Sequence, residues 1–210
     1  MFHAREQYWE LRYQKESGNI YGYEPSLSSF FGLINFLRIR AKHILEIGGG
    51  TGRNSYLFAL YGMWVTNVDT SFTAIKNSSI NFPLNNVHNI CADILKIKLP
   101  QNKFNGVFAN AVLPFFNPAE LKIILKKCSK CLKNNGIVVF SWLDKKDEYS
   151  QKGKYRAGQY IRYYSKSEVK KMFKKYNFGR VEFISCREKE LVSGKIRGTR
   201  LIISVAKKLK

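Results

Sequence analysis

The chain has 210 residues, 45% of them apolar, which is enough for one domain with a full core and too apolar for a disordered chain. Lys and Arg total 36 against 15 Asp and Glu, a formal charge of +21. No apolar run has the length of a membrane span, and Met1-Phe-His-Ala-Arg-Glu-Gln lacks the charged leader and apolar stretch of a secretory signal. Cysteines scattered at 91, 128, 131 and 186 fit reduced thiols, so a cytoplasmic protein with no membrane partner is expected.

The charge is lopsided. Residues 1–105 hold 11 basic and 7 acidic side chains, a net of +4; residues 106–210 hold 25 and 8, a net of +17. Two readings stand side by side: an anionic partner such as nucleic acid or an acidic substrate, and a Lys-, Asn- and Ile-rich coding bias.

Strands and helices alternate after residue 43, the pattern of a doubly wound parallel sheet with helices on both faces. His43–Ile47 reads as a strand, Asn54–Tyr61 as a helix stopped by Gly62, and Met63–Asp69 as the next strand. Thr70 or Ser71 caps a helix running to about Ile80. Val87–Cys91 and Phe104–Asn110 are further strands. Asn117-Pro-Ala-Glu120 starts a helix with a capping side chain, a proline and an acid. Leu121, Ile124, Leu125, Cys128 and Leu132 continue it at helical spacing to Asn135-Gly136. Ile137–Trp142 is a strand, and Ser165-Lys-Ser-Glu168 opens a helix with Val169, Met172, Phe173 and Tyr176 on one face. Val181–Ser185 and Arg200–Ala206 close the chain as an antiparallel pair. Residues 1–25, rich in Tyr and Trp, and the long connection 143–164 fall outside this rhythm, and connections of that length tend to carry function.

The chemistry concentrates at Ile44-Leu-Glu-Ile-Gly-Gly-Gly-Thr-Gly52. An apolar strand meets an acid, then a glycine loop, then a helix start. Glycines let the backbone turn sharply and let a ligand approach, and in open α/β sheets ligands sit beyond the carboxyl ends of the strands. The third glycine of a dinucleotide fingerprint is replaced by Arg53. Asp69 ends the second strand, placed to accept from both hydroxyls of a ribose. Asp93 is placed either to meet an adenine edge or to cap a surface helix.

These positions resemble class I S-adenosylmethionine-dependent methyltransferases. ILEIGGGTG matches the family's first motif with Glu46 at its acidic site, Asp69 matches its second-strand acid, and Ala92-Asp93 its pair after the third strand. Residues 104–116, F-N-G-V-F-A-N-A-V-L-P-F-F, look like its fourth strand and pocket wall. The resemblance implies one Rossmann-like domain over 1–210, with a seven-stranded, mostly parallel sheet and one antiparallel strand near the edge. It implies S-adenosyl-L-methionine as cofactor, held by Glu46, Gly48, Gly49, Gly50, Thr51, Gly52, Asn54, Asp69, Thr70, Ala92, Asp93, Ile94, Asn110 and Ala111. Glu46 either reaches the cofactor through water or only caps the loop.

The accepting half is less defined. The Asn-Pro-Pro-Tyr signature of amino-methylating enzymes is absent, with Asn110-Ala-Val-Leu-Pro114 in its place. No cysteine has the setting of a cytosine-C5 nucleophile. Direct displacement of a sulfonium methyl by an O, N or S nucleophile needs alignment and no covalent intermediate, and the sequence names no base. The aromatic N-terminus, Tyr8, Trp9, Tyr13, Tyr21 and Tyr23, reads as a lid over the cofactor or as a helix packing its rings on the sheet edge; Tyr8, Trp9 and Tyr23 of it, Phe115, and Arg162 and Tyr163 of the connection are the expected substrate contacts. Glu24-Pro-Ser26 and Arg53-Asn54-Ser55 resemble tellurite-resistance-type and other small-substrate members. Trp142, the basic connection and Arg162-Tyr-Tyr164 resemble tRNA wobble-uridine members. From Lys152 to Arg180, tyrosines interleave with basic residues, as in single-stranded nucleic-acid sites or an ordinary solvated face. The substrate is thus a small molecule or RNA, and a non-catalytic subunit that binds RNA or protein is the alternative from another class. Cys128-Ser-Lys-Cys131 lies on an apolar helix stripe and reads as core, and no metal site is expected.

Overall fold

The computed structural model describes residues 4–16, 20–152, 155–156, 159–192 and 195–209, with the side chains of residues 4, 152, 155–156, 190–192 and 195 outside the description. Its helices are α1 (Ala4–Lys15), α2 (Leu27–Arg38), α3 (Arg53–Leu60), α4 (Phe72–Asn81), α5 (Pro118–Cys131) and α6 (Lys166–Lys175). Its strands are β1 (His43–Ile47), β2 (Trp64–Asp69), β3 (Val87–Cys91), β4 (Phe104–Ala109), β5 (Leu132–Leu143), β6 (Tyr155–Arg156), β7 (Gln159–Tyr160), β8 (Phe178–Val192) and β9 (Lys195–Lys208).

Seven strands form one sheet in the order β3-β2-β1-β4-β5-β9-β8, and β6 pairs with β7 as a separate ribbon. Strands β1 to β5 run parallel, while β9 is antiparallel to both β5 and β8. This is the expected doubly wound sheet with one reversed strand near an edge. The order turns back at β1, which lies between β2 and β4, so a crevice opens beyond the carboxyl ends of these strands.

Strand periodicity sends successive side chains to opposite faces. Leu45, Val107 and Val138 enter one core with Leu121, Ile124, Cys128, Val169 and Phe173 of α5 and α6. Their neighbours Ile44, Phe108 and Val139 enter a second with Leu33, Phe36, Leu57 and Phe58 of α2 and α3. Cys128 and Cys131 are fully within the first core, as their stripe predicts. Both capping boxes form, with Asn117 and Glu120 opening α5 and Ser165 and Glu168 opening α6 in reciprocal bonds.

Three features differ from the pattern reading. Helix α2 has no counterpart in it, because Leu27, Phe30, Ile34 and Leu37 are exposed while Leu33 and Phe36 are buried, and apolar residues on both faces erase the helical stripe. The closing strands are longer than expected. β9 leaves β5 at Leu201, but β8 and β9 continue together to Val192 and Lys195 as a hairpin arm. A Glu188 side-chain oxygen on that arm accepts from the Leu27 N–H at the start of α2. Helix α5 ends at Cys131 rather than at Asn135, and β5 starts directly after it.

Helix α2 approaches the sheet over Gly106 of β4. A Cβ there would stand 2.4 Å from Phe36 Cε1 and 2.8 Å from Ile44 Cδ1. Gly106→Ala is expected to lower stability by about 1–3 kcal/mol through overpacking, read as a fall in urea midpoint at constant slope. An unchanged midpoint would show that the α2 face yields freely.

Candidate functional site

Strand β1 delivers the glycine loop into the crevice. Gly48, Gly50 and Gly52 have φ of 66°, 55° and 81°, the left-handed region that a Cβ penalises. Beneath the loop lie two buried polar side chains, Glu46 of β1 and Asn67 of β2. A Cβ on Gly49 would stand 2.1 Å from Asn67 Oδ1 and 2.8 Å from Glu46 Cδ, so the backbone rests directly on them. Glu46 accepts from Ser55 Oγ at 2.5 Å and from Asn54 Nδ2 at 3.2 Å. Burial outweighs these bonds and the nearby Arg53 charge, and pushes its carboxyl up to about 7.

Asp69, at the end of β2, is fixed from two sides. Its Oδ2 accepts from the Gly50 N–H and its Oδ1 from the Ser71 N–H, both at 2.9 Å. Burial raises its carboxyl above the ordinary value against these backbone donors. Each oxygen keeps lone-pair capacity for a further donor.

Helix α1 lies across the loop. Arg5, Trp9 and Tyr13, four residues apart, share one face of it, and all three line the cavity below. The Tyr13 hydroxyl oxygen would stand 2.4 Å from a Cβ on Gly50. Burial, then the Asp69 charge, holds the Tyr13 phenol well above its usual range, so it stays a donor. The helix is tied down at three points. Arg5 Nη1 meets both Glu120 oxygens at 2.9 and 3.0 Å and its guanidinium stacks 4.1 Å above Phe116. Glu6 pairs with Lys96 at 3.1 Å. Glu10 accepts from Ser71 Oγ at 2.7 Å, Thr73 Oγ1 at 2.6 Å and Thr73 N at 3.2 Å.

The enclosed space, mouth included, is about 950 Å³. Of the residues expected at a cofactor, Gly48, Gly49, Gly50, Thr51, Asn54, Asp69, Thr70, Ala92, Ile94, Asn110 and Ala111 line it, and of the expected substrate contacts Trp9 and Phe115 do. These two rings meet edge-on at 5.1 Å. The others stand off the wall. Glu46 lies under the loop, and Gly52 is the left-handed residue before α3. Asp93 accepts from the Leu95 N–H at 2.9 Å and faces Lys96 at 3.6 Å, as a turn cap does. Tyr8 packs edge-on against Trp9, and the exposed Tyr23 against Phe82. Arg162 meets Glu168 at 3.2 Å and stacks on Tyr164, while Tyr163 is buried with Leu143, Ile161 and Leu201. Of the basic and tyrosine run, the side chains of residues 152–158 lie outside the described residues.

Tyr13 and Tyr21 of the aromatic N-terminus and Val112 and Phe116 of the expected pocket wall line it as well, and Arg5 joins them without having been read from the sequence. Its signal was its place four residues before Trp9 and eight before Tyr13 on one helix face. Arg53, which replaces the third dinucleotide glycine, lines it too and donates to the Tyr21 and Glu24 carbonyls at 3.1 and 2.8 Å. Among the described residues no group of His, Cys, Asp and Glu could hold a metal ion, and no helix is long and apolar enough to cross a membrane.

A glycine loop at the switch point, with an acid at the end of the neighbouring strand, defines a ligand-binding α/β domain of the doubly wound class. Residues 45–140 match the family model described as a methyltransferase domain. The chain is 29% identical over 98 residues to phosphoethanolamine N-methyltransferase 1 of Caenorhabditis elegans, covering 46% of this chain and 21% of that protein. It is 35% identical over 119 residues to ribosomal protein L11 methyltransferase of Prochlorococcus marinus strain AS9601, covering 51% and 37%. The match thus spans well under half the length of these relatives. Among solved structures, the 1,6-didemethyltoxoflavin-N1-methyltransferase of Burkholderia thailandensis, bound to 1,6-didemethyltoxoflavin and S-adenosylhomocysteine, superposes with a TM-score of 0.68 at 16% identity, covering 100% of this chain and 92% of that one. Residues 45–140 thus resemble a methyltransferase domain, on a fold shared with solved methyltransferases.

The carboxyl of Glu46 gives this site a pH signature. Its folded value, about 7, exceeds the ordinary 4.5, so the folded protein holds a proton that the unfolded chain releases. The associated stability is fully present below pH 4.5 and is lost as pH rises through 7. Thermal unfolding between pH 5 and 8 is expected to show a steeper decline for the wild type than for Glu46→Gln. Parallel declines would show that Glu46 is already ionised.

Proposed function

We propose that this chain binds S-adenosylmethionine in the cavity under α1 and methylates a small molecule at an O, N or S atom by direct displacement. The observation that carries the reading is the roof: Arg5, Trp9 and Tyr13 descend from α1 onto the space above Gly50 and Asp69. The residues present suit the cofactor. Asp69 is held rigid with lone pairs to spare for a diol, and Gly50 offers bare backbone at the cavity wall.

S-adenosylmethionine bound there supplies a methyl group on an electrophilic sulfonium. The chain's own part is placement. Asp69 fixes one end of the cavity through the Gly50 and Ser71 N–H groups. Trp9 and Phe115 close the other with an edge-on ring pair that keeps water away from the acceptor. Arg5, anchored to Glu120, gives that end a cation held in a fixed orientation. Aligning donor and acceptor is worth several kcal/mol of barrier on its own, of order 7–11 kcal/mol at the limit, which is enough for a mechanism built on positioning.

Calorimetric titration with S-adenosylhomocysteine is expected to give one site per chain, and Asp69→Ala to weaken it by about tenfold or more, the worth of a charge-assisted hydrogen bond. Binding by the folded wild type that is absent, or that Asp69→Ala leaves unchanged, would remove the assignment. The +17 charge of residues 106–210 motivates the competing RNA acceptor. RNA retained at low salt and lost steeply as salt rises would favour it over an enclosed small molecule.

A further inference from the structure

Strand β4 stops pairing with β5 at Ala109, opposite Phe140. The next residue of β5, Ser141, is completely buried, and its hydroxyl enters the turn that follows β4. Its Oγ accepts from the Ala111 N–H at 2.7 Å and donates to Asn110 Oδ1, also at 2.7 Å. Ala111 has a φ of 51°, in the left-handed region where a residue with a Cβ is strained. A hydroxyl from the neighbouring strand thus holds the turn against its own preference.

The direction of both bonds follows from the donors. The backbone N–H of Ala111 donates to Ser141 Oγ, and in the structure the hydroxyl proton is directed to Asn110 Oδ1. Asn110 turns its carbonyl oxygen toward Ser141. The two N–H bonds of its planar amide are carried on the opposite edge, at the cavity wall that Asn110 lines. Val112, two residues on, packs against the glycine loop: a Cβ on Gly48 would stand 2.4 Å from Val112 Cγ2. The turn is clamped between Ser141 on one side and Gly48 on the other.

We propose that Ser141 is a positioning residue whose hydroxyl orients Asn110 so that the amide N–H groups meet a lone-pair atom of the bound S-adenosyl compound. The proposal rests on the methyl-donor reading above. The chemistry it selects is a proton-free acceptor, available as a carboxylate oxygen at the amino-acid end or a ring nitrogen at the adenosyl end. With the amide turned over, its oxygen would face that lone pair and repel it, and the Ser141 proton would lose its acceptor. Nothing in the Asn110-Ala-Val-Leu-Pro114 sequence announces this, because the controlling residue comes from a different strand.

Wild type, Ser141→Ala, Asn110→Ala and the double variant are titrated by calorimetry with S-adenosylhomocysteine and with methylthioadenosine, which lacks the amino-acid end. Thermal unfolding of each is followed in parallel. Each single variant is expected to weaken S-adenosylhomocysteine by roughly tenfold, about one hydrogen bond, and the double variant to be no weaker than Asn110→Ala. A loss shared by both compounds supports a contact at the adenosyl end, and one confined to S-adenosylhomocysteine supports the amino-acid end. Losses that simply add, or a Ser141→Ala protein that melts earlier with both affinities unchanged, would overturn the proposal and leave Ser141 a structural hydroxyl. Should Ser141→Ala not fold, Asn110→Asp keeps an acceptor for Ser141 and replaces the N–H groups with a second acceptor. It is expected to weaken S-adenosylhomocysteine at least as much as Asn110→Ala, and undiminished affinity would overturn the proposal. A folded wild type that binds neither compound defeats the methyl-donor reading itself, an outcome distinct from a binding wild type with indifferent variants.

Discussion

Nothing projects from Gly49 toward the sheet, and the space a side chain would need is filled by Asn67 Oδ1 and the Glu46 carboxyl. Two polar groups on adjacent parallel strands, both removed from water, are therefore the floor on which the glycine loop lies. Burying such groups is costly unless they are bonded, and the surroundings meet most of that need. Ser55 and Asn54 donate to Glu46, and Asn67 donates to Asn89 at 2.9 Å. Asn54 then accepts from the Ser26 N–H, which ties the floor to the entrance of α2. A loop seated this low brings the Gly50 N–H to Asp69 and leaves bare backbone facing the cavity.

Above that floor the site is closed by attachment rather than by a continuous core. Helix α1 is mostly polar, and among the described residues Tyr13 with Ile20 and Ala74 forms a small buried cluster beneath it, with Trp9 and Tyr21 packed against it. Its hold comes from the Arg5, Glu6 and Glu10 contacts, each reaching a different element. Contacts of this kind are individually modest, so a roof built from them can lift at less cost than an element of the main cores. On the proposed reading, such a roof can lift to admit donor and acceptor and close over them for the transfer.

Much of this was legible in the sequence where local pattern and tertiary role coincide. The residues Ile44 to Gly52 become strand, loop and helix start because each local preference agrees with the sheet around it, and the two capping boxes form for the same reason. Legibility ended where a role is set across strands or between helices. Asp93 has the position the resemblance marks; its Oδ1 caps a turn, while its buried Oδ2 faces Lys96 at 3.6 Å without a hydrogen bond. Arg162 and Tyr163 sit in a basic, aromatic context, yet Glu168 and a local core engage them instead of the cavity. Helix α2 escaped notice because it is apolar on its buried and exposed faces alike. The aromatic residues of α1, Tyr13 among them, were legible as a lid, but Arg5 acquires its place only when the helix is laid over the loop.

The central claim is that one cavity, floored by the glycine loop and roofed by α1, is where the methyl donor sits. A crystal structure of the chain with S-adenosylhomocysteine tests it most directly. The account predicts the ribose against Asp69 and Gly50, and the sulfur end turned toward Trp9 and Phe115 with α1 in place. Density for the ligand elsewhere on the molecule, or a bound ligand with α1 displaced and the cavity open as a groove, would contradict it.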